Sequence, residues 1–148
     1  MLDFRFTHHP GVPATLLLSL AIYANFFTHH YVADMRVALF LASAFVFGRT
    51  TIHFKAWRAH RRMPLLVGFL LVALFIYLAE NIGTFTGAWL YPNQRGGWSP
   101  VGPGKLGSWF LLMIISYAMV AALNGVLPMH PAEKGEADAR PQKPALLR

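Results

Sequence analysis

Cysteine is absent from this chain of 148 residues, and its six acids face thirteen Lys and Arg. Without cysteine there is no disulfide, no thiolate metal site and no cysteine nucleophile, and the redox character of the compartment stays open. Charge is scarce as well. Asp, Glu, Lys and Arg make up 13% of the residues and apolar types 55%, a charged share about half that of an ordinary soluble domain. The net charge of +7 points first to nucleic acid, but the basic residues gather in one connector and one tail. No helix carries a basic face, which excludes a nucleic-acid partner. Phosphate loops, dinucleotide fingerprints, zincin helices and serine-hydrolase elbows are missing too.

Long apolar runs are what the chain has in plenty. The first covers Val12 to Phe27, the second Val37 to Gly48 with an extension to about Phe54, the third Met63 to about Phe85, and the fourth Leu106 to Leu127. A membrane span needs about 20 apolar residues, within a range of roughly 17 to 25. The third and fourth runs meet that length. The first is short and the second is interrupted by Arg49, so both require tilt or interfacial flanks. A helix of a soluble bundle repeats a polar face at about every 3.6 residues, and "LLVGFLLVALFIYLA" repeats none. The expected fold is therefore all-α, a polytopic membrane protein with four transmembrane helices. Its expected divisions are an N-terminal segment, residues 1–11, a four-helix transmembrane domain, residues 12–128, and a disordered cytoplasmic tail, residues 129–148, rich in Pro, Ala and mixed charge. Asp3 and Arg5 precede the first run and no small-x-small cleavage site follows it, so that run is read as retained rather than cleaved.

Orientation follows from Lys and Arg. The connector "RTTIHFKAWRAHRR" holds Arg49, Lys55, Arg58, Arg61 and Arg62 without an acid, and is cytoplasmic by the positive-inside rule. Both termini then lie in the cytoplasm. Ten basic residues fall on the inner side, and Arg36, Arg95 and Lys105 on the outer. The place is a bacterial cytoplasmic (inner) membrane, crossed several times. The connector can also meet anionic head groups of the lipid bilayer.

With that topology the unusual polar residues collect at the outer face. The first run delivers Asn25, His29 and His30, the first two being four apart and so on one helix face. The third delivers Glu80 and Asn81, and the loop after it brings Trp89, Tyr91 and Asn93. Lys105 opens the fourth, at a helix N-terminus where the dipole favours a negative group. Of the six acids, Glu80 alone lies within a run. At 1.5 Å per residue it sits roughly 25 Å along a core of about 30 Å, near the far interface. Two readings stay open for it: an interfacial carboxylate hydrogen-bonded to a neighbouring helix or water, or a half-desolvated acid suited to proton donation or to meeting a cation. Adjacent histidines diverge by about 100 degrees on a helix, so no metal site is expected from His29 and His30. Gly83 and Gly87 form a small-xxx-small pair, read as a helix-packing surface. The aromatics read first as an interfacial belt.

The strings "ANFFTHHY", "FGRT", "AENIGTFTGAWLYPNQ" and "KLGSWFLLMIIS", in this order and spacing, resemble the YoaT-like family of uncharacterised bacterial integral membrane proteins, a domain-of-unknown-function family. The likeness runs from about Pro13 to about Leu123 and implies a location but no reaction. It covers the second half of the family pattern, which implies a truncated product or a short form that must pair. The acid–Gly–Trp–aromatic pattern of Glu80, Gly87, Trp89 and Tyr91 is also similar to membrane-embedded lycopene cyclase and carotenoid-modifying proteins.

The leading expectation is an integral membrane protein of unknown function that binds a lipid-like or small ligand at the outer polar cluster around Glu80. The alternatives are an isoprenoid-modifying enzyme with Glu80 as general acid, and a component of a transporter, which would place polar residues at mid-span. No cofactor is expected. The expected partners are the lipid bilayer and a second copy of the chain or a missing N-terminal half.

Overall fold

The computed structural model describes residues 4–31, 33–56 and 59–128. The expected disordered tail lies outside the described residues. Four helices carry the fold: α1 (Val12–Thr28), α2 (Arg36–Phe47), α3 (Leu65–Phe85) and α4 (Gly104–Asn124). A small antiparallel sheet accompanies them, built from β1 (Phe4–Thr7), β2 (Thr51–Ala56) and β3 (Ala59–Pro64) in the order β1-β2-β3.

The sheet corrects the all-α expectation. The second apolar run stops being helical at Phe47, so its extension to Phe54 is strand. Gly48 follows with its backbone against the Ala44 carbonyl, too close for any Cβ. Beyond it, Thr51, His53 and Lys55 alternate with Ile52, Phe54 and Ala56, the period of two that a strand uses to separate its faces. Register pairs Phe4 with Phe54 and Phe6 with Ile52 across β1 and β2, and Ile52 with Met63 across β2 and β3. Phe6 and the buried Ile52 therefore share a face, and Phe6 packs on the helical core. Residues 4–7, in the expected N-terminal segment, are tied in further by the Phe6 amide, which donates to the Leu127 carbonyl beyond α4 (3.1 Å).

Thr50 knots the sheet end. It is fully buried, its hydroxyl donates to the His8 carbonyl, and its own carbonyl accepts the first amide of α3, that of Leu65 (2.9 Å). That amide is one of the donors a helix start leaves without an internal partner.

Helix α4 packs against α1 and α3, and α1 also against α2. Each contributes a narrow stripe at spacings of three and four: Thr15, Leu18, Ser19 and Ile22 on α1, and Leu111, Ile114, Ala118 and Ala121 on α4. Phe47, Phe69 and Tyr117 interlock edge to face beside them, ring centroids 5.1–5.9 Å apart. The remaining helix surface is also apolar. Leu17, Phe45, Phe75, Ile82 and Leu123 stand exposed. By length and composition, α3 and α4 can cross a membrane, and most residues of each are not buried within the chain. Helices α1 and α2 are apolar but shorter.

Candidate functional site

The end of the bundle opposite the sheet is organised by one face of α3. Tyr77, Glu80, Asn81 and Thr84 fall at i, i+3, i+4 and i+7, a single helical stripe, and each holds part of the segment between α3 and α4. The Tyr77 hydroxyl donates to the Val101 carbonyl (2.6 Å), and the Val101 amide donates to Asn81 Oδ1 (2.9 Å). The Trp98 indole donates to the Thr84 hydroxyl (3.2 Å). Glu80 takes two donors, the Tyr91 hydroxyl on one carboxylate oxygen and Trp109 Nε1 of α4 on the other (2.8 Å). Glu80 is 5% exposed, and its carboxylate joins α3, loop and α4 at one point.

The glycines serve the same loop. Gly87 has φ +73°, its amide donates to the Thr84 carbonyl, and the Ala88 amide donates to the Gly83 carbonyl (2.9 Å). This pair of bonds ends α3 in the left-handed turn that glycine favours. Gly83 leaves room for Trp89, whose indole occupies the place of a side chain there. Of the small-xxx-small pair, Gly83 thus contacts the chain's own loop, and the space beside Gly87 is open. Beyond it, Pro92–Gln94 forms a short 3-10 turn, and the Gln94 side chain accepts from the Tyr91 amide and donates to the Ser99 carbonyl (2.6 Å).

Two cavities flank Tyr91. The larger, 540 Å³, lies between the end of α1, the loop and the start of α4, with Asn25, His29, Arg36, Tyr91, Asn93, Gln94, Lys105 and Ser108 on its wall. Among the described residues no carboxylate lines it. Lys105 Nζ stands 4.8 Å from the centre of the Tyr91 ring. Arg36 is engaged by Asp34, and the Arg36 backbone amide, ahead of its side chain, holds the Asp34 carboxyl below its ordinary range. The smaller cavity, 370 Å³, is lined by Ile76, Ala79, Glu80, Trp89, Tyr91 and Trp109. The hydrogen bond to Glu80, helped by desolvation, pushes the Tyr91 phenol up to about 12, so it remains a donor at neutral pH.

Of the residues singled out from the sequence, Asn25, His29, Tyr91, Asn93 and Lys105 meet on the larger cavity, and Glu80, Trp89 and Tyr91 on the smaller. His30 and Asn81 line neither. The His30 ring lies against that of His29, centroids 3.9 Å apart, while His29 Nδ1 donates to the Phe26 carbonyl (2.9 Å). Asn25 accepts the Met35 amide (3.0 Å), bracing the α1–α2 turn. Among the described residues no three His, Cys, Asp or Glu gather as metal ligands. Sequence reasoning did not single out Arg36, Gln94 or Trp109 as site residues. The stripe spacing of Tyr77, Glu80, Asn81 and Thr84 was the available signal for the clasp.

Comparison with known proteins agrees with the resemblance read from the sequence. The model of a family described as protein of unknown function (DUF817) matches residues 1–117. An uncharacterized protein, YoaT of Bacillus subtilis (strain 168), is 46% identical over 129 residues, which are 87% of this chain and 48% of that protein. The chain thus spans about half the length of the curated relative it matches. No solved structure matches.

Proposed function

This chain belongs to the DUF817 family of proteins of unknown function, and from that premise we propose a multi-pass protein of a bacterial cytoplasmic membrane that binds a small or lipid-like ligand through an anionic group. The site is the larger cavity at the loop end. The observation that carries this reading is its wall: 540 Å³ lined by Lys105, Arg36, His29 and amide side chains, and among the described residues by no carboxylate. Asp34 already offsets Arg36. Lys105 has no acidic partner among the described residues, and it rests on an aromatic face that tolerates a cation but does not neutralise it.

Membrane placement draws support from the apolar outer faces of the helices. At 1.5 Å per residue α3 and α4 are each about 31 Å long, close to the core thickness of about 30 Å. Helix α1, at about 25 Å, needs a thinned or tilted setting, and α2, at about 18 Å, reaches only part of the way. Of the four expected spans, α2 is therefore a partial one, continued toward the cytoplasm by the sheet. That sheet end carries Arg5, Arg49, Lys55, Arg61 and Arg62, and the loop end Arg36, Arg95 and Lys105, which favours the sheet and both termini inside. The exposed apolar faces fit lipid, a second copy, or the part of the longer relative that this chain does not match.

For the enzyme alternative, Glu80 is poorly placed as a general acid because both of its oxygens already hold the loop and α4. The binding reading is tested with the full chain in detergent, by following tryptophan fluorescence as glycerophosphate is added. Saturable binding that Lys105→Glu weakens by roughly tenfold or more supports it. Absence of binding, or equal binding by the variant, overturns it.

A further inference from the structure

Behind Tyr91 lies a cavity of opposite character. Its walls are Ile76, Ala79, Trp89, Tyr91 and Trp109, and among the described residues its single charged group is the Glu80 carboxylate. We propose that this cavity receives an alkylammonium group, so that the ligand held at the loop end is a zwitterion with its anionic group beside Lys105. This inference rests on the anion-binding reading above and adds the contact that would distinguish its ligand from a plain phosphate or carboxylate.

Glu80 is buried, and no cation pairs with it among the described residues. Its bonds come from two neutral donors, a phenol and an indole, while a carboxylate offers about four lone-pair positions. Hydrogen bonds from neutral groups leave the charge in place, and a buried charge is best compensated by an opposite one. Lys105 does not supply it: no ion pair joins the two among the described residues, and Lys105 instead takes a face of the Tyr91 ring. The remaining wall decides which cation fits. Two indoles and a phenol line it, the side chains from which sites for quaternary ammonium groups are built. Hard metal ions require six or more oxygen ligands, and no cluster of metal-ligating side chains stands here among the described residues. Tyr91 lines both cavities. A molecule straddling it would set its ammonium toward Glu80 and its anion toward Lys105, opposing the dipole those two residues create.

The test uses the full chain in detergent and three soluble probes: glycerophosphate, choline, and glycerophosphocholine, which carries both charges. Glycerophosphocholine is expected to bind at least roughly tenfold more tightly than glycerophosphate. Ala79→Phe fills the cavity from an exposed position on α3 and touches none of the clasp's hydrogen bonds. It should abolish that advantage and leave glycerophosphate affinity unchanged. Lys105→Ala should weaken both phosphate probes and spare choline. A lipid source is separated from a free one in nanodiscs of mixed phosphatidylcholine and phosphatidylglycerol. Selective retention of phosphatidylcholine assigns a lipid head group, and tight soluble binding without retention assigns a free zwitterion; either supports the proposal. Equal affinity for the two phosphate probes overturns it while leaving the anion site standing. Choline binding without glycerophosphate binding overturns the anion reading and the zwitterion with it.

Discussion

The indole of Trp89 fills the space that a side chain on Gly83 would need: a Cβ there falls 2.6 Å from Cζ3. Nothing as small as a methyl fits without moving the ring. Gly83→Ala should therefore displace Trp89 and loosen the loop from α3, at a cost of about 1–3 kcal/mol, the range for overpacked sites. Thermal unfolding in detergent together with near-ultraviolet circular dichroism of the tryptophans checks it. An unchanged spectrum would mean that the indole has another resting place.

The Glu80–Tyr91 bond should be cooperative with the Glu80–Trp109 bond, since one carboxylate anchors both. Glu80→Ala leaves a phenol and an indole without their acceptor, an expected cost of about 1–3 kcal/mol for each group left unsatisfied. Tyr91→Phe removes one donor cleanly and should cost less. In a double-mutant cycle the second substitution should cost much less once Glu80 is gone. Additive effects would show that the carboxylate and the phenol act independently.

Helix positions were largely legible from sequence, because α1, α3 and α4 are long, mostly apolar stretches bounded by Gly, Pro or polar residues. The sheet was read over, although its signal was present. Thr51 to Ala56 alternates strictly, but its basic residues drew the reading toward charge and topology. Partner strand β1 lies more than forty residues upstream in register, which no local pattern can reveal. Glu80 stood out as an acid in an apolar run. Tyr91 also stood out, as a neighbour in the same outer cluster, but the bonds of Tyr91 and Trp109 to Glu80 did not, because the two lie 11 and 29 residues away and read equally well as interfacial aromatics. Likewise Arg36 entered only as a basic residue on the outer side. Its place on the cavity depends on the turn between α1 and α2, which Asn25 braces through the Met35 amide.

His9 should give the fold a sensitivity to acid. Its ring packs against Phe6, Phe47 and Tyr117, its Nε2 is buried without a partner, and burial holds its pKa below the ordinary 6.5. A depressed histidine favours the folded state most above the unfolded value, and that contribution is lost as pH falls from 6.5 through the lower folded value. Unfolding midpoints should accordingly drop below pH 6.5. His9→Phe, which keeps an aromatic ring among its neighbours and removes the titration, should flatten that decline. If the variant and the parent decline in parallel, other groups carry the acid response.

Orientation is open to a direct experiment because the chain contains no cysteine. Arg95→Cys places a thiol at an exposed position of the loop, and Lys55→Cys places one at an exposed position of the sheet. Neither side chain takes part in the clasp around Glu80. In intact cells a membrane-impermeant maleimide should label position 95, while position 55 should react only after the cytoplasmic side is opened. The reverse pattern would put the basic sheet outside, against the positive-inside bias. It would also turn both cavities toward the cytoplasm, so that their ligand would have to come from the inner leaflet or the cell interior. Labelling of both positions from one side would mean that α3 does not cross, since position 55 precedes that helix and position 95 follows it.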